Sequence, residues 1–160
     1  MTACDPPQVH PEARGVRPER PVRAAGVLVW TGDADDPRFL LLQNARHGTW
    51  GFAKGHLEGG EAELEGALRE LAEETGLRLD AEDLVPDWND AALYRTPNGA
   101  WKRVVLFLAA RPTPTEALQR SDEHARHAWA TVGEALERLE HEDLRRALVR
   151  AATRLRPPRP

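Results

Sequence analysis

Three glutamates, Glu70, Glu73 and Glu74, stand at i, i+3 and i+4. On a helix that spacing gathers them on one stripe, where like charges repel by roughly 0.2–0.5 kcal/mol per pair. The arrangement makes sense if a cation sits among the carboxylates, and hard oxygen donors favour magnesium or manganese over zinc. The plain alternative is a solvated acidic face. Just upstream, Gly48 to Gly60 is rich in glycine, which lets backbone groups come close to a phosphate or a metal. Twenty of the 22 basic residues are arginine, so Lys54 and Lys102 stand out as the only lysines.

These residues need elements to hold them. The periodicity predicts a helix over Glu61 to Thr75, with Leu64, Ala67, Leu68, Leu71 and Thr75 on the stripe that faces a sheet. Gly76 suits a left-handed cap at its end. Ala24–Trp30 and Phe39–Gln43 read as strands joined by a longer loop, and Ala91–Thr96 and Trp101–Ala110 as strands joined by a Pro97-Asn98-Gly99 turn. His127–Ala130 reads as a last short strand. Thr131 caps a helix carrying Ala135, Leu136 and Leu139, and a final helix over Glu142–Leu155 follows. This order predicts an α/β fold with helices packed on a sheet.

The chain has 160 residues, the length of one domain with a real core. Residues 1–22 carry five prolines and read as a flexible N-terminal tail, 23–155 as the domain, and 156–160 as a C-terminal tail. One cysteine, Cys4, excludes a disulfide framework and a cysteine zinc site. No apolar run nears the ~18 residues a spanning helix needs, so no membrane partner is expected and a cytoplasmic setting is. A net charge of -4 argues against a stable nucleic-acid partner. It leaves small anionic substrates open, because a bound metal supplies positive charge locally. Oligomeric state is not legible.

The segment from Gly55 to Leu77 reads Gly, five residues, Glu61, seven residues, then Arg69-Glu70-Leu71-Ala72-Glu73-Glu74-Thr75-Gly76-Leu77. It resembles, position by position, the signature of the Nudix hydrolases, and seven fixed positions agree by chance in about one window in 10⁸. The resemblance implies a Nudix-type α/β/α sandwich with a mixed β-sheet, and magnesium-dependent (or manganese-dependent) hydrolysis of a nucleoside diphosphate linked to another group. It implies Glu70 and Glu74 as metal ligands, Glu73 as a further ligand or the general base, and the Gly55 carbonyl as part of the metal shell. It also implies an Arg69–Glu61 pair that holds the loop onto the helix.

The flanks resemble the asymmetric diadenosine tetraphosphate hydrolases. Trp50-Gly51-Phe52-Ala53-Lys54-Gly55-His56 matches their entry loop, with Ala53 where proline is usual. Ser121-Asp122-Glu123-His124 followed by Trp129 matches a second stretch. This resemblance implies Lys54 on the phosphate chain, and Glu123 as an extra metal ligand or the alternative base. Leu106 stands where those enzymes often have tyrosine. Tyr94, Trp101, Phe107 and Trp50 are therefore the candidate plates for adenine, and Lys102 and Arg103 candidates for distal phosphates. The substrate expected is a diadenosine polyphosphate, diadenosine tetraphosphate giving ATP and AMP. The rivals are a diphosphoinositol polyphosphate or (d)NTP pyrophosphohydrolase, and a non-enzymatic nucleotide-binding Nudix domain. The spread of arginines disfavours the inositol substrate, and the intact carboxylates disfavour the non-enzyme. His47, His56, His124 and His127 form no metal spacing, and His47 and His124 are expected at the site's edge.

Overall fold

The computed structural model describes residues 21–111, 118, 121–156 and 158. The expected N-terminal tail, apart from its last two residues, and Cys4 lie outside these, as does most of the expected C-terminal tail.

Strand β1 (Val22–Asp33) shows why the fold is layered. Successive side chains of a strand point to opposite faces. Ala24 and Leu28 enter one core, and Ala25, Val27 and Val29 enter another. Both faces are covered, so the strand reads as a continuous apolar run. Strand β2 (Asp36–Asn44) repeats the pattern, with Phe39 and Leu41 in the first core and Leu40 and Leu42 in the second.

β3 (Trp50–Gly51), β4 (Ala53–His56), β5 (Leu84–Arg95), β6 (Trp101–Ala110) and β7 (His124–Thr131) complete a seven-stranded mixed sheet. Its main order is β3-β2-β1-β6-β5, with β7 on β2 and β4 on β1. β1 runs parallel to β6 and antiparallel to the rest of its partners. On one side it divides its length: Ala24–Val27 pair with β4, and Trp30–Asp33 pair with β2. Helix α1 (Glu63–Thr75) covers one face, and α2 (Val132–Arg138) and α3 (Glu142–Leu155) the other. This is the α/β/α sandwich expected.

Several boundaries differ from the sequence reading. Helix α1 begins at Glu63, because Glu61 turns back to accept the Glu58 N–H. Gly76 adopts φ 77° and ends it in the left-handed region, as expected. Asp33 pairs directly with Asp36, so the first connection is a two-residue turn rather than a longer loop. β5 starts at Leu84, well before Ala91; a register shift between Leu84 and Asn89, with Asp87 at φ 58°, hides the strand's period. β7 starts at His124 instead of His127. The glycine-rich stretch holds two short strands. Thr131 caps α2 by accepting the Glu134 N–H at 3.1 Å. No helix among the described residues is long and apolar enough to cross a membrane.

Candidate active site

Arg69 is the centre of the charged side. Its Nε and Nη2 donate to the two oxygens of Glu61 at 2.7 and 3.0 Å, a two-pronged pair. Nη2 also donates to the His56 carbonyl at 3.0 Å, which ties the entry loop to the helix. Nη1 donates to Glu70 at 2.9 Å and to Glu73 at 3.2 Å. The Glu61 carboxyl is held down to about 2 by these bonds and by the Glu58 N–H. The carboxylates in turn push the guanidinium further up. The implied Arg69–Glu61 pair is thus present, and Arg69 also screens two acidic groups that would repel.

Burial then separates the three glutamates of the helix. Glu73 is exposed, with its side chain 57% accessible, and stays with Arg69. Glu70 is half-buried and its carboxylate packs against the Cα of Gly55. A Cβ there would overlap the carboxylate, so any other residue must push it aside. Glu74 is buried, and its Oε2 accepts the Lys54 backbone N–H at 3.1 Å. Burial raises the Glu70 carboxyl and pushes that of Glu74 up to about 8, the latter against the pull of Lys54.

The strand period sends Lys54 and Gly55 to opposite faces. Gly55 meets α1, whereas Lys54 enters a cleft of about 380 Å³ on the α3 face. Lys102, Tyr94, His56, His124 and His141 also line it. Burial lowers both ammonium groups, and Lys54 lowers Lys102 further. The same burial, reinforced by the lysine charges, holds all three histidines below their ordinary range. The cleft thus brings two lysines and three imidazoles together, N–H donors suited to phosphate oxygens.

Tyr94 forms one wall. Its ring stacks on His141 with centroids 4.1 Å apart and planes at 21°, and it is only 8% exposed. Asp143, buried in the first turn of α3, accepts the Leu93 N–H at 2.9 Å and fixes the helix against β5. Glu123 lies exposed on the turn before β7. That turn is pinned twice: the Ser121 N–H donates to the Glu74 carbonyl at 3.2 Å, and the Ala45 N–H to the Glu123 carbonyl at 2.8 Å. The charge of Glu123 is felt by Glu70, Glu74, His56, His124 and Lys102.

The sequence-predicted residues therefore fall into two groups around one strand. Gly55, Glu70 and Glu74 lie on the α1 side, with Glu73 at its edge; Lys54, Tyr94 and Lys102 share the cleft; the charge of Glu123 acts on both. Of the candidate plates, Trp50 and Tyr94 line the cleft. Arg103 pairs with Glu63 at 3.6 Å, outside the cleft. His47 and His124 line it as expected; His56, read as ordinary, does so too. His141 and Asp143 escaped the sequence reading because their roles come from contacts with β5, far away in the chain.

Metal binding can be tested against these donors. Among the described residues no group of three or more acidic, histidine or cysteine side chains is gathered tightly enough to hold an ion as it stands. Arg69 occupies oxygens of Glu70 and Glu73 instead. The donor chemistry nonetheless fits a hard divalent cation: it is all oxygen, and the buried Glu74 carboxylate is offset only by Lys54 and one N–H.

The NUDIX domain family model matches residues 20–151. An asymmetrical bis(5'-nucleosyl)-tetraphosphatase of Caenorhabditis elegans is 31% identical over 118 residues, covering 72% of this chain and 83% of that one. A solved structure of a C. elegans Ap4A hydrolase binary complex superposes with a TM-score of 0.74 at 28% identity, covering 84% of this chain and 97% of that one. An octanoyltransferase of Myxococcus xanthus is 33% identical over 133 residues, which is 82% of this chain but only 37% of that protein. With its signature segment, its sandwich and these likenesses together, the chain belongs to the NUDIX domain family and is a Nudix pyrophosphohydrolase.

Proposed function

We propose that this protein hydrolyses dinucleoside polyphosphates, diadenosine tetraphosphate giving ATP and AMP, with residues 23–155 as the working unit. The observation that carries the reading is the pairing of Lys54 and Lys102 in one cleft, directly across β4 from the Glu70 and Glu74 carboxylates. The asymmetrical tetraphosphatases among its relatives support the same substrate.

Glu70, Glu74 and the Gly55 carbonyl would hold magnesium or manganese, with Glu73 or Glu123 completing the set. When bound, such an ion neutralises charge on the phosphates and lowers the pKa of water. The chain's own groups do the rest. Lys54 and Lys102 hold the phosphate chain. Water adds to one phosphorus, the bond from that phosphorus to its bridging oxygen breaks, and a carboxylate takes the water's proton. What supports Glu123 over Glu73 as that base is its position: Glu73 is tied to Arg69, whereas the charge of Glu123 acts on both groups of residues. Tyr94 and His141 wall the end that would receive a base.

The test is incubation of pure protein with diadenosine tetraphosphate and magnesium, with products separated by chromatography. ATP and AMP are expected, and a chelator in excess should stop their release. Turnover of a different substrate with none of this one ends the assignment.

A further inference from the structure

The cleft of about 380 Å³ lies toward the small end of the 300–1,000 Å³ typical of ligand pockets. It does not enclose a long polyphosphate with a nucleoside at each end, so part of such a substrate must lie outside, over the mouth. Beyond the cleft's lining, Trp50 carries a further set of polar residues. Trp50, Gln43 and Arg126 form one row across β3, β2 and β7. Trp50 lines the cleft. The Arg126 guanidinium lies 5.9 Å from the Trp50 ring centre, and its Nε donates to Gln43 at 2.9 Å. Arg138, from the end of α2, lies 4.7 Å from the same ring. On the other side of Gln43, Asn44 Oδ1 accepts the N–H groups of both Arg46 and His47 at 2.9 Å, which shapes the loop that brings Arg46 to the cleft.

Arg46, Arg126 and Arg138 are all exposed, and among the described residues none has a carboxylate partner. Arg38, Arg69, Arg103 and Arg150, in contrast, all pair with acids. Stacking on an aromatic ring fixes the plane of a guanidinium and leaves its N–H edge free for phosphate oxygens.

We propose that Arg46, Arg126 and Arg138 form an anion-binding lip around Trp50, which holds the distal phosphates of a polyphosphate whose near end lies between Lys54 and Lys102. The lip selects for chain length. It rests on the proposed dinucleoside polyphosphate activity and adds to it the three side chains that would favour long chains over short ones.

The experiment is steady-state kinetics on dinucleoside polyphosphates of two to five phosphates, with a diphosphoinositol polyphosphate as a separate arm. The wild-type protein is compared with R46A, R126A, R138A, the triple variant and R138K. In the triple variant, KM at four and five phosphates should rise about 10-fold, consistent with loss of several charge-assisted contacts. KM at two phosphates should change less than about twofold and kcat should hold. R138K keeps the charge but not the stacked plane, and should fall between. Calorimetry with a methylene-bridged tetraphosphate analogue gives a second readout, and the triple variant should bind it about 10-fold more weakly. An equal loss at every length, or none, overturns the lip. If no dinucleotide is turned over but the inositol substrate is, the nucleotide reading fails. The lip then stands only if the triple variant raises KM for that substrate.

Discussion

The two faces of the sheet are built on different physics. On the α1 face, Arg69 binds Glu61, Glu70 and Glu73, and Glu74 is buried beside it. These charges oppose packing, and hydrogen bonds to one guanidinium offset the conflict. On the α3 face, Leu144, Ala147, Leu148 and Ala151 pack on Ala24, Leu28 and Leu106, and Asp143 and His141 join the helix to β5 at the border of the cleft. The comparison teaches a division of labour. The side assigned to bond breaking is held by charge and is locally frustrated, whereas the side assigned to substrate recognition is held by burial.

Substitutions on the two faces should separate these roles. The largest effect is expected from Glu74→Gln, which should lower kcat by about 10³-fold, since a metal ligand accounts for several kcal/mol of transition-state stabilisation. Its Tm should hold, because a carboxyl pushed up to about 8 is largely protonated at neutral pH and the glutamine oxygen still accepts the Lys54 N–H; a sharp fall in Tm would make Glu74 structural and break the contrast. Gly55→Ala comes next. The added methyl would displace the Glu70 carboxylate, so kcat should fall about 10- to 100-fold, as when the support of a metal ligand is lost. Arg69→Ala should cost about 2 kcal/mol in urea unfolding, from hydrogen bonds to charged groups.

On the other face, Asp143→Ala should cost about 1 kcal/mol, because it strands the half-buried Leu93 N–H. It should raise KM and spare kcat, since it loosens only the Tyr94–His141 wall. Loss of kcat alone would break the contrast from that side. The smallest effect concerns pH. Glu61 titrates at about 2 when folded and near 4.5 when unfolded. Its contribution to stability is therefore fully present above pH 4.5 and is lost as pH falls through about 2. Glu61→Gln should flatten that acid limb in a Tm–pH series and leave the curve above pH 5 unchanged in shape.

Much of this is legible in the amino-acid sequence. The helix, its left-handed cap and strands β1, β2 and β6 follow from periodicity and turn chemistry, because local rules and tertiary packing agree there, whereas the short β3 and β4 are hidden in a glycine-rich stretch. The spacing places Glu61 in the helix, but its side chain folds back to Glu58 and Arg69 and the helix starts at Glu63. The first half of β5 was invisible because its polar residues and a left-handed Asp87 break the alternation. Of the site, the helix carboxylates and Lys54 stand out by type and spacing, and Glu123 by the resemblance of its stretch to a known family. His141, Asp143, Arg126 and Arg138 did not, since each gains its role from a strand distant in sequence. The spread of arginines along the chain suggested no basic cluster; the register of β3, β2 and β7 nevertheless brings Arg126 to Trp50, where Arg138 joins it.

Strand β1 exchanges β4 for β2 halfway along its edge. The two neighbours must part in mid-sheet, and residues of both branches, Leu42 and Lys54, line the hollow they leave. The receptacle is thus a by-product of backbone hydrogen bonding and stands open before any visitor arrives. Entry should need no costly rearrangement of the main chain, and encounter should be governed by diffusion and steering. The side chains bordering that hollow can also be exchanged without redrawing the scaffold, so a change of diet requires new furniture and not a new house.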